Sequence, residues 1–357
     1  MLGNQAGCAL RRRGFERGWH ERRWEWRGVN VKLRGWLLGR VGGALATILM
    51  VLLLNFVLFR LMPGSPDRAL ARNPRVSAEA IAAARVRWGL DKPLFPDQLV
   101  AYVGATLSGD FGYSVKYGGR EVTSVIGEKI APTLLIVGLG EIIALTAGIA
   151  LGAWTGWRRG KFGDRVGTLS ALILYSMPYF WLGMLLVTLF ATTLGWLPTS
   201  GISTPGGPGG VAGIVDLLRH AALPIATIAL GLIGQYAILL RSSVAEALRE
   251  GYVLTARAKG LHDDRILRGH ILPNALLPTV TLAALNAGYV IGGALTVEIV
   301  FSWPGLGLLT QEALQSRDYP VLQGIFLLLA ISVVVANLLA DLLYSRLDPR
   351  VRHGAAR

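Results

Sequence analysis

Long uncharged runs alternate with short charged ones along most of the chain. A bilayer core about 30 Å thick is crossed by roughly 20 residues of helix. Six runs are of about that length or longer and almost free of charge: 41–59, 131–157, 166–194, 221–240, 276–297 and 320–340. This pattern predicts an all-α polytopic membrane protein with six transmembrane helices. The second run alone contains an ionisable residue, Glu141, while Glu298 and Asp341 lie at the edges of the fifth and sixth. Glycines recur at four-residue spacing at Gly148, Gly152 and Gly156, and again at Gly288 and Gly292. Small residues so placed let helix backbones approach closely, where lipid provides no hydrophobic drive for association. Inside the third run, Met177-Pro178 removes a backbone donor and predicts a kink at Pro178, a feature of transport pathways and of structural helices alike.

The segments between the runs set the domain organisation. Residues 1–36 form a basic, Arg- and Trp-rich N-terminal extension, 37–61 the first helix, and 62–130 an extracytoplasmic insert. Residues 131–345 form a core with helices 2–6 and a loop at 242–275, and 346–357 a cytoplasmic tail. In the extension, arginines interleave with Trp19, Trp24, Trp26 and Trp36. That mixture suits an interfacial segment on anionic headgroups, and equally an extension from an upstream start codon, with the true start near Val29 or Val31. In the insert, Ser77 with Glu79 starts a helix running to about Trp88 and stopped by Gly89; a second follows Pro96-Asp97 and ends before Gly109. The insert either caps the outer mouth or helps dock an extracellular partner. Residues 199–213, rich in Gly, Pro and Ser, read as a flexible outer loop.

Composition and charge narrow the class. Of 357 residues, 52% are hydrophobic and 16% charged, too few charges for the wet surface of a soluble enzyme. One cysteine, Cys8, leaves no disulfide framework, zinc cluster or iron–sulfur site. With the N-terminus in the cytoplasm, about two-thirds of the 36 lysines and arginines fall on the inner side, and the long insert holds most of the rest. Long segments translocate largely regardless of charge, so both termini are expected in the cytoplasm. The net charge of +14 then follows from topology and gives no reason to invoke nucleic acid.

The most informative segment is the inner loop between the fourth and fifth runs. It reads Glu250-Gly251-Tyr252-Val253-Leu254-Thr255-Ala256-Arg257-Ala258-Lys259-Gly260-Leu261, then Ile266-Leu267-Arg268-Gly269-His270-Ile271-Leu272-Pro273-Asn274-Ala275. Residues 252–259 make a short two-faced helix, Gly260 breaks it, Asp263-Asp264 cap a second helix, and Pro273 marks re-entry into the membrane. An exposed helix–turn–helix of this kind suits insertion in another protein's groove, or contact with lipid alone. Gly260 and Leu272-Pro273 have the spacing of the loop signature of binding-protein-dependent ABC importer permeases. Leu254-Thr255-Ala256 occupy the positions of its Glu-Ala-Ala triad, and His270 that of its isoleucine. In this form the loop resembles the dipeptide/oligopeptide/nickel permeases. So do Phe59-Arg60-Leu61-Met62-Pro63-Gly64-Ser65-Pro66, Gly89-Leu90-Asp91-Lys92-Pro93, Gly109-Asp110-Phe111-Gly112-Tyr113-Ser114, Ser176-Met177-Pro178-Tyr179-Phe180-Trp181-Leu182-Gly183 and Phe301-Ser302-Trp303-Pro304-Gly305-Leu306-Gly307. The resemblance covers about 41–349.

The resemblance implies a type I ABC importer permease-like fold, with the insert on the outer face after helix 1 and a cytoplasmic coupling helix between helices 4 and 5. It implies half of a translocation pathway in a bacterial or archaeal inner membrane, for di- or oligopeptides, with nickel or another small solute as an alternative. Expected partners are a second homologous permease, two cytoplasmic ATPase subunits, an external substrate-binding protein and membrane lipid. Thr255, Ala256, Arg257 and Lys259 are expected to face the ATPase groove, with Leu254, His270, Leu272 and Pro273 completing the coupling loop. Trp303, Pro304, Gly305 and Gly307 form an outer loop motif. No catalytic residue, metal site or cofactor is expected on this chain, ATP and Mg belonging to the partner subunits; consistently, the sequence has no phosphate-binding Gly-x-x-x-x-Gly-Lys-[Ser/Thr] loop. An ion-coupled secondary transporter would rely on Glu141 near the midplane. An intramembrane hydrolase lacks its motifs, and His262 and His270 suit a solvated or interfacial role better than metal binding.

Overall fold

The structure, a computed structural model, describes residues 33–61, 78–87, 91–289 and 295–347. The 1–32 part of the extension, the 62–77 and 88–90 parts of the insert, Gly292 and the tail from 348 lie outside them. Residues Arg40–Asp348 form one compact unit that holds the bundle. Among the described residues five helices are long and apolar enough to cross a membrane, and a bent pair makes a sixth crossing if counted as one.

Helix α1 spans Leu33–Leu61. It buries Leu52, Asn55, Phe56 and Phe59 and leaves Leu45, Leu49, Met50 and Leu54 exposed. Apolar side chains on the outside suit a helix surrounded by lipid, where burial is not needed to hide them from water. Two short helices belong to the insert, α2 at Ala78–Arg87 and α3 at Leu99–Leu107, the latter entered through a wide turn at Leu94–Gln98. Phe95 and Tyr102 set their rings 5.8 and 5.5 Å from that of Phe56, fastening this part of the insert to α1.

Helix α4, Val122–Trp157, is the spine of the bundle. It begins nine residues before the apolar run predicts, because Glu128 and Lys129 end the hydrophobic signal without ending the helix. The same holds at both ends of α7, Gly210–Ala247, which extends past Asp216 and Arg219 on one side and Arg241 on the other. These two helices cross closely. A Cβ on Gly148 would stand 2.6 Å from the Cβ of Tyr236, and one on Gly152 would stand 2.6 Å from the carbonyl oxygen of Ala237. The stripe of small residues on α4 is therefore the seat of α7, as its spacing predicts.

The third apolar run is broken rather than merely kinked. Helix α5 covers Phe162–Ser176 and α6 covers Tyr179–Leu186, continuing as a wide turn at Val187–Thr193. The two meet at 103°. Met177, just before Pro178, is extended at φ −80° and ψ 129°, the region to which the proline ring restricts its predecessor.

Helices α8 (Gly251–Ala258) and α9 (Asp263–Ile266) form the inner loop, and a wide turn at Leu267–Ile271 leads into α10, Leu272–Tyr289. The fifth run thus starts its helix at Leu272 rather than 276, and α11 begins only at Leu295, running to Val300. Helix α12, Leu306–Ser316, and α13, Tyr319–Leu347, complete the bundle. Gly288 of α10 lies against Ala336 of α13, where an added Cβ would come within 2.7 Å of the alanine methyl.

Candidate functional site

The inner loop is a folded object with two distinct faces. Val253 and Ala256 of α8, Ile266, Ile271 and Ala275 pack with Leu240, Val244 and Ala247 of α7 in one apolar cluster. Gly260, at φ +74°, makes the left-handed turn that a Cβ disfavours and sends the chain from α8 to α9. The outward face carries Leu254, 72% exposed, with Thr255, Arg257, Lys259, Gly260, His270 and Pro273; Leu272 is half-buried. Two expectations are corrected. Ala256 is 5% exposed and packs inward against this chain, because it lies one helical turn from Val253 on the same face, so it cannot present itself to a partner. The cap of α9 is not an aspartate: His262 Nδ1 accepts from the Asp264 amide at 3.4 Å, and Asp263 and Asp264 occupy the first turn. The Thr255 hydroxyl donates to its own helix at Gly251 O, 3.0 Å away.

The segment 301–307, at the other end of the molecule, closes over the start of α4. The Trp303 indole is fully buried and donates to Pro132 O at 2.9 Å. Glu298, also fully buried, organises the loop. Its carboxylate accepts from the Thr133 hydroxyl at 2.7 Å and from the Gly307 and Leu308 amides at 2.7 and 3.1 Å, satisfying donors at the α12 N-terminus that the helix itself leaves unpaired. Thr133 Oγ1 in turn accepts from Leu306 N at 2.8 Å. A Cβ on Gly305 would collide with that carboxylate, and one on Gly307 would come within 2.5 Å of Leu295 Cα. Trp303, Pro304, Gly305 and Gly307 are thus brought together around Glu298, which sequence reasoning placed only at a helix edge. An acid eight to ten residues before a Gly-rich helix start was the available signal.

Next to this loop, Ser114 donates to Asp318 Oδ2 at 2.5 Å, and Lys116 N donates to the same oxygen at 3.0 Å. Glu312 pairs with Lys116 Nζ at 2.7 Å and accepts from the Tyr117 hydroxyl at 2.6 Å. Burial alone would raise the Glu312 carboxyl, but Lys116 and Tyr117 outweigh it and hold the group below the ordinary carboxylate range. Burial, then Glu312, pushes the Tyr117 phenol up. This cluster clamps the end of the insert to the turn between α12 and α13.

Within the bundle, Glu141 of α4 accepts from the Tyr236 hydroxyl of α7, which accepts from Asn286 Nδ2 of α10 at 2.8 Å. Glu141 is therefore paired across three helices. Asp164 is paired too: Arg241 Nε and Nη2 reach its two oxygens at 2.5 and 2.9 Å, fastening α5 to α7. Tyr236, Asn286, Asp164 and Arg241 escaped sequence reasoning because their partners lie tens of residues away. No group of three or more His, Cys, Asp or Glu placed to hold a metal occurs among the described residues.

Residues 148–353 match the family described as binding-protein-dependent transport system inner membrane component. The chain belongs to that family. A putative peptide permease protein of Brucella ovis is 38% identical over 309 residues, covering 86% of this chain and 96% of that protein. The glutathione transport system permease protein GsiC of Salmonella choleraesuis is 37% identical over 318 residues, covering 89% and 99%. A subunit of the inward-facing MetNI methionine ABC transporter has a similar fold, with a TM-score of 0.50 at 19% identity, covering 63% of this chain and 97% of that one. This permease is accordingly an integral, multi-pass inner-membrane subunit of an ABC importer and not an enzyme, ATP hydrolysis lying on partner subunits. It is of the peptide/nickel type that the loop residues resemble.

Proposed function

We propose that this permease forms half of the translocation pathway of an ATP-driven importer for di- or oligopeptides. A second homologous permease supplies the other half, two ATPase subunits dock on the inner face, and an external binding protein delivers the substrate. The observation that carries the substrate class is likeness over nearly the whole chain to proteins named as peptide and glutathione permeases. Glutathione is itself a modified tripeptide, so a peptide-like solute accounts for both names; nickel or another small solute is the second reading.

The loop from α8 to α10 is the coupling element in this reading. Leu254, Thr255, Arg257 and Lys259 form the surface that enters the ATPase groove, an apolar knob beside cations, in the manner of a short helix laid in a groove. The buried row of Val253, Ala256, Ile266 and Ile271 makes that surface rigid with α7 and α10, so a displacement of the knob moves both helices. Both termini and this loop face the cytoplasm, as the arginine and lysine bias favours.

Purification of the chain from gently solubilised membranes, followed by mass spectrometry of what remains attached, tests the assembly. A second permease and ATPase subunits, crosslinked through cysteines placed at Leu254 or Lys259, are expected. A chain that purifies alone, with no ATPase after crosslinking, contradicts the reading and restores the secondary transporter.

A further inference from the structure

Four cations lie in the short turn between α4 and α5 or in the first turn of α5: Arg158, Arg159 and Lys161, then Arg165, all exposed. Between Glu141 and Asp216 the sequence contains a single carboxylate, Asp164. It is turned inward, 3% exposed, where it accepts from Gly160 N at 2.8 Å and pairs with Arg241. None of the four cations has a carboxylate in ion-pair reach among the described residues. Ion pairs do form elsewhere on the surface, Lys116 with Glu312 at 2.7 Å, Arg268 with Asp264 at 2.9 Å and Arg40 with Asp341 at 2.7 Å.

The turn is also built rather than loose. Gly160 takes the left-handed φ of +82° the reversal needs, and its amide is held by Asp164. Arg158 stacks its guanidinium 5.2 Å above the Trp154 ring, and that half-covered indole lies across Gly163 at the start of α5. Directly beside the cations an exposed apolar strip begins, with Phe162, Val166, Leu169, Leu172 and Ile173 running along α5. Cations at one end of an apolar strip, with an indole and a phenyl ring at the join, match the profile of a leaflet from phosphate through glycerol to acyl chain.

We propose that the α4–α5 turn binds the phosphate headgroup of an anionic phospholipid. Arg158, Arg159, Lys161 and Arg165 take the phosphate oxygens, guanidinium groups being suited to bidentate phosphate contact. Trp154 and Phe162 lie at the level of the glycerol and first methylenes. Charge complementarity favours an anionic ligand, and the strip starting within the same helical turn favours a lipid over a protein surface. Through the Asp164–Arg241 pair the occupied turn is fastened to α7, which leads directly into the inner loop. The site stands apart from the coupling assignment of that loop, and its test does not depend on it.

The test is native mass spectrometry of the permease, with whatever subunits accompany it, after exchange into nanodiscs of mixed phosphatidylglycerol and phosphatidylcholine. Wild type is expected to retain phosphatidylglycerol selectively. The variant R158Q/R159Q/K161Q, which alters exposed side chains only, is expected to lose that retention by at least about tenfold, whereas R268Q, which removes a paired surface cation, leaves it unchanged. Equal retention in wild type and the triple variant overturns the proposal, as does equal loss in R268Q, which would reduce the effect to bulk charge. Loss of an attached subunit with lipid retention intact would make the turn a protein-docking surface and equally overturn it.

Discussion

Gly152→Ala places a methyl group where α4 and α7 touch most closely. The new Cβ would stand 2.6 Å from the carbonyl oxygen of Ala237, 2.9 Å from the Leu240 Cβ and 3.1 Å from the Ala237 Cα. Two of these three neighbours are backbone atoms, so no rotamer change relieves the clash. The helices must separate by about half an ångström or more along a crossing that also seats Gly148 on Tyr236 and Gly156 on Val244, and overpacking of this kind costs about 1–3 kcal/mol. Gly138→Ala is the control on the same helix. Nothing lies within 4 Å of its Cβ position, and alanine is the better helix former by up to about 1 kcal/mol. Thermal unfolding of the detergent-purified chain, followed by circular dichroism, should give Gly152→Ala a midpoint several degrees below wild type, at roughly 2–4 °C per kcal/mol, and Gly138→Ala one equal to or above it. If Gly152→Ala melts with wild type, or if both variants fall equally, the glycine stripe is not what sets the α4–α7 distance.

Three further outcomes are expected. Gly260→Pro forces a φ of about −65° onto a residue at +74°, so it should abolish ATP-driven uptake while immunoblots show normal insertion in the membrane; wild-type uptake would sink the coupling-loop reading. Glu298→Ala leaves the Gly307 and Leu308 amides and the Thr133 hydroxyl without their acceptor, and should cost about 3 kcal/mol in the same unfolding assay, with Glu298→Gln milder. Glu312, whose folded-state carboxyl is held below its ordinary value, stabilises the outer clamp above the unfolded value of about 4.3 and loses that contribution as pH falls through the folded one. Wild type should therefore be more stable than Glu312→Gln at neutral pH, with the difference shrinking as pH falls through that range, and a difference that does not change with pH would exclude the clamp.

What the sequence made legible follows from the range of the signal. Helix existence, a bend at Pro178 though not its extent, the turn at Gly260 and the small-residue stripe all arise within a few positions of one another, where periodicity and backbone restriction act. Helix ends were misread where charge and helix part company, as at Glu128 and Lys129, because a hydropathy run measures the bilayer and not the hydrogen-bonded ladder. The inward face of α8 was misread at Ala256 for a related reason: the motif names neighbouring residues together, while the helix turns each by about 100°. The Asp164–Arg241 pair and the Glu141–Tyr236–Asn286 chain were beyond reach. Each joins residues from different helices, and a buried polar side chain declares its function only once its partner's position is known.

ATP-driven uptake by the assembled importer tests the central claim most directly. The complex recovered with this permease is reconstituted in proteoliposomes with its external binding protein and supplied with labelled dipeptide, oligopeptide or nickel. Accumulation of a peptide that requires internal ATP, and that stops with Gly260→Pro, is the predicted result. Uptake driven by an imposed ion gradient without ATPase subunits, or ATP-dependent uptake of nickel with none of any peptide, would contradict it.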